Sequence, residues 1–233
     1  MYGITYNNKH SFNDLGLTVL NTRVIETPSK VKITQSVPFS NLSYDFSSLY
    51  GSNCYTERKL EYEFLIKARN STELEFKRMQ VDQWLLSSNS KTPLIDDNHP
   101  GYYYKAECIS TEFEDLVKTG KLKAIFTAYP FKIGESYEGN NLWDSFNFEL
   151  DVLQDTKFTV NGTSSVSIYN SSIIDIEPSI IASSQFEIVL DSKKYTIKAG
   201  TSKDYRFKLK PGTNNLTLKG NGTIEFKFRK EVL

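Results

Sequence analysis

Residues 59–86 read KLEYEFLIKARNSTELEFKRMQVDQWLL, and two different periods meet within them. Leu60, Tyr62, Phe64, Ile66 and Ala68 alternate with Lys59, Glu61, Glu63, Lys67 and Arg69, which is the period-2 pattern of a strand with one wet face; only Leu65 breaks it. The period then changes. Thr72 with Glu75 reads as a capping box, so a helix is expected from about Glu73 to Leu86, ended by Ser87-Ser88-Asn89-Ser90. At 100° per residue Leu74, Val81, Leu85 and, more loosely, Trp84 share one side of that helix. Phe76, Met79 and Leu86 share the other. A helix lying on a sheet needs only one apolar face, so the second group implies a further contact, made either with the same chain or with a neighbouring subunit. Periodicity leaves both readings open.

Working outward, the same alternation marks Val31, Ile33 and Val37 before this stretch. It returns after the turn Thr119-Gly120 at Leu122, Ala124, Phe126 and Ala128. Texture changes after Tyr129-Pro130-Phe131, where KIGESYEGNN collects glycine, asparagine and serine, so two domains are expected, 1–133 and 134–233. The second half has no helical period. Its runs are Phe186, Ile188, Leu190; Tyr205, Phe207, Leu209; Leu216, Leu218; and Ile224, Phe226, Phe228. Asp191-Ser192, Pro211-Gly212 and Gly220-Asn221-Gly222 read as turns between them. Short strands at this spacing mean a sandwich or jelly roll. The fold class is mainly β, with one α-helix.

Several function classes fall away on composition. Lys plus Arg and Asp plus Glu number 28 each and no run of five like charges occurs, so neither a nucleic-acid footprint nor a polybasic membrane segment is present. The longest apolar runs are only a few residues, as in Trp84–Leu86 and Ile180–Ala182, far too short to cross a bilayer. MYGITYNNKHSFNDLG shows no basic start followed by an apolar core, so no secretory signal is read and folding in a cytoplasm is expected. On that expectation Cys54 and Cys108 are ordinary thiols, and the six N-x-S/T sequons, beginning with Asn41, are chance products of composition.

Catalytic chemistry has little to work with. The two histidines, His10 and His99, stand near no nucleophile-elbow pattern, and with the two cysteines they lack metal-ligand spacing. Asp96-Asp97-Asn98-His99-Pro100-Gly101 reads as a tight turn ahead of a strand at Tyr102–Glu107 rather than as a metal site. No phosphate loop or dinucleotide fingerprint is present, so no cofactor is expected. A sugar-binding reading of the second half would use Trp143 as a stacking platform, with Tyr169, Tyr195 and Tyr205 as lesser candidates, against the plainer reading of Trp143 as a core residue.

An ordered set of short segments carries a resemblance. His10-Ser11-Phe12-Asn13-Asp14-Leu15-Gly16-Leu17, Val37-Pro38-Phe39, Tyr44-Asp45-Phe46-Ser47 and Leu49-Tyr50-Gly51 are followed by Tyr55 and Arg58 and then the alternating strand. Trp84-Leu85, Asp96-Asp97, Tyr102-Tyr103-Tyr104-Lys105-Ala106 and Tyr129-Pro130-Phe131 continue the series. In the second half come Glu177-Pro178-Ser179-Ile180, Tyr195-Thr196-Ile197-Lys198-Ala199-Gly200, Pro211-Gly212-Thr213-Asn214-Asn215-Leu216 and Gly222-Thr223-Ile224-Glu225-Phe226. Together they resemble the distal tail proteins of long non-contractile-tailed phages over nearly the whole chain.

The resemblance implies a first domain built as a β-sandwich with one helix and an extended hairpin, and a second domain that is a galectin-like sandwich. It also implies a homohexameric ring around the DNA channel at the distal end of the virion tail, assembled in the host cytoplasm. The ring's partners would be the tail tube protein and a tail-associated lysin or fibre protein, with a receptor-binding protein as a further one; neither specific nucleic-acid binding nor membrane insertion is implied. On this reading the protein is not an enzyme, and Phe76, Met79 and Leu86 are candidates for the oligomer interface. Galectin sugar sites use a histidine and the second half has none, so that binding mode does not carry over. A glycan-binding adhesion module of the tail tip is the alternative, with Trp143 its candidate platform.

Overall fold

A computed structural model describes residues 2–47, 49, 53–116, 118–139 and 152–233. They fall into two compact units, Met1–Ile133 with Leu233, and Gly134–Val232. The first contains β1 (Ile4–Tyr6), β2 (Lys9–His10), β3 (Thr18–Val19), β4 (Val24–Ile25), β5 (Thr34–Ser36), β6 (Ser43–Asp45), β7 (Arg58–Lys67), α1 (Ser71–Leu86), β8 (Thr92–Asp96), β9 (Tyr102–Asp115) and β10 (Thr119–Gly134). Its main sheet runs β2-β1-β8-β9-β10-β7-β3, with β4 also on β7, while β5 and β6 pair only with each other.

The sheet is organised by β7 and β10, paired antiparallel from Lys67 opposite Thr119 to Arg58 opposite Ala128. Both strands alternate in phase, so Leu60 faces Phe126, Tyr62 faces Ala124 and Phe64 faces Leu122 on a face withdrawn from water. At Tyr62 opposite Ala124, and at Arg58 opposite Ala128, a large side chain meets a small one across the pair. Gly120 opposite Ile66 extends this rule, because a Cβ there would lie 2.4 Å from the Phe113 ring. On the outer face Glu61 pairs with Lys123 at 2.9 Å and Glu63 with Lys121 at 3.0 Å.

Helix α1 packs on β7 and β9 through Leu74, Val81, Trp84 and Leu85. The indole Nε1 of Trp84 donates to the Tyr6 carbonyl at 2.7 Å, which resolves the one polar atom the ring brings into the core. The cap lies two residues earlier than the Thr72–Glu75 reading. Asn70 is extended and its Oδ1 accepts from Glu73 N at 2.8 Å, while Glu73 Oε2 accepts from Arg69 N at 2.9 Å. Asparagine caps at least as well as threonine, and Glu73 stands three residues on, so this register satisfies two backbone donors at once. Asn70→Ala is expected to lower stability by about 1 kcal/mol, read as a lower urea midpoint at unchanged slope.

The alternation at Val31, Ile33 and Val37 yields only the three-residue strand β5, with Ile33 exposed. That run forms half of a small hairpin, with Thr34 opposite Asp45 and Ser36 opposite Ser43, and among the described residues no further strand pairs with it.

The second unit contains β11 (Lys157–Asn170), β12 (Ser179–Ala182), β13 (Phe186–Leu190), β14 (Lys193–Ile197), β15 (Gly200–Ser202), β16 (Gly212–Lys227) and β17 (Glu231–Val232). The order is β14-β13-β16-β12-β15, with β11 also on β16. One half of β16 pairs with β13 through Thr217–Lys219 and the other with β12 through Ile224–Lys227, so a single long strand organises both halves around a core containing Phe186, Phe207 and Phe226.

Two expectations for this half are corrected. Gly220-Asn221-Gly222 is not a turn: β16 runs straight through it, with Gly162 opposite Gly220. The glycines serve close approach, since a Cβ at Gly220 would stand 2.7 Å from the Phe186 ring and 2.9 Å from the Gln185 carbonyl, at a φ of +153°. Nor is Tyr205–Leu209 a strand. Phe207 and Leu209 are buried, but the backbone turns at Asp204–Phe207 and only Leu209 bridges to Ile176. The chain's Gly/Asn-rich stretch runs into residues 140–151, and Trp143 therefore lies outside the described residues.

Candidate interaction surfaces

The polar groups that might have formed a catalytic centre are committed to holding the first unit together. His10 Nδ1 accepts from the backbone N–H groups of Phe12 at 3.2 Å and Asn13 at 3.0 Å. That places the ring proton on Nε2, 3.1 Å from Asp97 Oδ2, which also accepts from Gly3 N. The imidazole braces a turn.

Asp96, at the end of β8, is wholly buried and collects donors from four directions. The hydroxyls of Tyr2 and Tyr62 donate to it at 3.0 Å each, Asn98 N at 2.9 Å and Arg23 Nη1 at 3.2 Å. Burial, reinforced by this carboxylate, pushes the Tyr2 phenol up to about 12 and the Tyr62 phenol far above its ordinary value. Backbone geometry fits the turn reading, with His99 N donating to the Asp96 carbonyl at 2.8 Å. Burial also lowers the His99 imidazole below its ordinary value, with Lys132 and Arg23 adding to this and Asp96 opposing it. Among the described residues no group of three His, Cys, Asp or Glu side chains is arranged to hold a metal ion. Cys54 and Cys108 are free, and burial pushes the Cys108 thiol up to about 12, which leaves it unreactive.

What the first unit offers instead is apolar surface. Phe76, Met79 and Leu86, picked out by period, fall within about 80° on the solvent side of α1 and are 65%, 60% and 45% exposed. Nothing in the described part of the unit covers them. A second patch was not singled out by periodicity. The segment around the β5–β6 hairpin exposes Ile33, Phe39, Leu42, Tyr44, Phe46 and Leu49, with Phe39 free of any cover. Lys32 to Asp45 at 2.7 Å and Ser47 Oγ to Ile33 N hold the hairpin's shape. Two three-residue strands are too little to be stable alone in water, and a solvated hairpin has no use for six large apolar side chains. The sequence signal was present as apolar residues at 37–49 without a partner strand.

In the second unit Tyr195 is not a platform: its ring packs edge-on against Phe207 at 5.1 Å and its hydroxyl donates to the Arg206 carbonyl. Tyr205 is 74% exposed, and Tyr169 is partly so.

No protein-family model matches the chain, and no curated protein sequence matches it. Among solved structures, the fold is similar to the crystal structure of SPP1 Dit (gp 19.1), described as a paradigm of the hub adsorption apparatus in Gram-positive-infecting phages. The TM-score is 0.66 with all of both chains covered, at 13% sequence identity. At that identity the likeness is one of fold: the chain has a mainly β, Dit-like architecture.

Proposed function

We propose that this protein is a structural hub of a phage or prophage tail tip, six copies closing into a ring around the DNA channel. The ring joins the tail tube on one side to a tail-associated lysin or fibre protein on the other. The observation that carries this reading is that a hub protein's fold is matched along the entire length of both chains, both units included. Two properties of the chain agree with it. Phe76, Met79 and Leu86 on α1 and the hairpin side chains form two separate apolar surfaces on one small unit, as a closed ring requires of a subunit that must contact neighbours on two sides. A net formal charge of zero suits a conduit through which a polyanion slides, since phosphate contacts by lysine and arginine supply most non-specific affinity.

In this role the protein is not an enzyme and works by burying surface between subunits, with each contact expected to exceed about 1,000 Å². The second unit is a lectin-like sandwich to which no sugar is assigned. Negative-stain electron microscopy of the purified chain tests the proposal: rings with a central hole and six-fold averages are expected, and fields without rings, even from cross-linked concentrated samples, would count against it.

A further inference from the structure

Strand period places a cation where an apolar residue is expected. On β7 the inward positions are Arg58, Leu60, Tyr62, Phe64 and Ile66; on β10 they run from Leu122 through Ala128 to Pro130, and the alternation lapses at the buried Phe131. Arg58 therefore lies on the core face at the end of the sheet, and it lines a cavity of about 490 Å³ together with the partly buried Lys132. Arg23, His99 and Tyr104 share that lining, together with Leu233, which clusters with the first unit.

Arg23 is neutralised by Asp96, but among the described residues no acidic side chain pairs with Arg58. Its side chain is 3% exposed and its guanidinium lies over the Tyr104 ring, 5.5 Å from the centroid. Arg58 Nε and Tyr104 Oη are buried without a well-formed hydrogen bond, the guanidinium and the phenol interacting only loosely with each other, and His99 Nδ1 has only Asp96 at 3.5 Å. Among the described residues no carboxylate lies within 4 Å of Arg58 or Lys132. Burial lowers the affinity of both for their protons, and the charge on Arg58 lowers that of Lys132 further. A buried, unpaired guanidinium beside an unpaired ammonium is costly, and the cavity leaves room for the group that removes the cost.

We propose that this cavity is an anion site that takes a small oxyanion, phosphate or a carboxylate, on the fork of Arg58 with Lys132 as the second cation. The arginine fork matches two oxygens of either group, while lysine supplies a point charge. Neither the hub reading nor the apolar surfaces enter this inference.

The test is thermal unfolding of the full chain in Tris buffer, titrated separately with sodium phosphate and sodium acetate against sodium chloride at matched ionic strength. The wild-type Tm is expected to rise saturably with at least one oxyanion and not with chloride, because a ligand that binds only the folded state stabilises it by mass action. The preferred ion identifies the ligand's class. Lys132→Met is expected to weaken the midpoint of that rise by about tenfold or more, the loss of one charge-assisted contact. Arg58→Met should abolish the rise and, without anion, melt no lower than wild type, since an apolar side chain of similar length replaces an unpaired charge. If Arg58→Met does not fold, the Lys132→Met midpoint decides. A Tm that follows ionic strength alone, or a saturable rise whose midpoint is the same in the variants as in wild type, overturns the site.

Discussion

Met79→Glu is expected to leave a folded protomer that no longer assembles. Met79 stands on the solvent side of α1, 60% exposed, so the isolated chain has little to lose. Methionine and glutamate have similar helix propensities, and the new carboxylate meets Glu75 four residues back at a cost of a few tenths of a kcal/mol. The far-ultraviolet spectrum and urea midpoint should stay close to wild type, within about 0.5 kcal/mol. In the proposed ring the same carboxylate is buried without a partner in every subunit contact, which costs several kcal/mol each and repeats six times around the circle. Sedimentation velocity on the variant should therefore give a protomer under conditions where the wild type gives the ring. A variant that folds and assembles normally removes the outer face of α1 from the interface, and the β5–β6 hairpin becomes the surface to alter next.

The second large effect is on folding itself. Asp96→Ala is expected to cost about 3–5 kcal/mol, because it strips the charge partner from Arg23 and the acceptors from the buried hydroxyl of Tyr62 and the half-buried one of Tyr2 in one change. Against a total stability of about 5–15 kcal/mol for a domain, such a loss leaves the first unit marginal or unfolded. Asp97→Ala provides the contrast. Asp97 is far more exposed and its side chain braces only His10 and Gly3 N, so a loss of about 1 kcal/mol is expected. Urea unfolding followed by tryptophan fluorescence reads both, since Trp84 lies in the core of that unit. Equal effects at the two positions would contradict the description of Asp96 as the buried centre of the network.

Much of this architecture was legible because it repeats. The period of 2 in residues 60–68 and 122–128 predicted two strands that pair with each other in the main sheet, and the period of 3.6 predicted which helix residues are buried. What was not legible depended on contacts between distant parts of the chain. Gly220 and Gly222 look like turn residues in a string of letters, and only the packing of Ser183–Phe186 against them shows why glycine is needed in a continuous strand. Phe207 and Leu209 alternate like a strand but are held in irregular backbone by their burial, a turn at Asp204–Phe207 and the single bridge from Leu209 to Ile176. The helix cap moved from Thr72 to Asn70 because two overlapping polar pairs satisfy the same rule, and the chain uses the one that serves two donors.

The surfaces were legible to different degrees for the same reason. Phe76, Met79 and Leu86 stand out because they violate an amphipathic period. Among the hairpin's apolar residues only Ile33 belongs to an alternating run; Phe39, Tyr44, Phe46 and Leu49 entered as parts of a resemblance, and Leu42 by neither route. Arg58 and Lys132 are 74 positions apart, and nothing local marks either; the antiparallel register that sets Arg58 opposite Ala128 is what brings them to one cavity.

The most direct measurement is the mass of the purified chain in solution, by light scattering across a wide concentration series. Six copies of 26.7 kDa make about 160 kDa. A species at that mass, growing with concentration at the expense of the 26.7 kDa protomer and absent from Met79→Glu, is the result the ring predicts. A single species of 26.7 kDa at every concentration would contradict a chain that closes a ring through its own apolar faces.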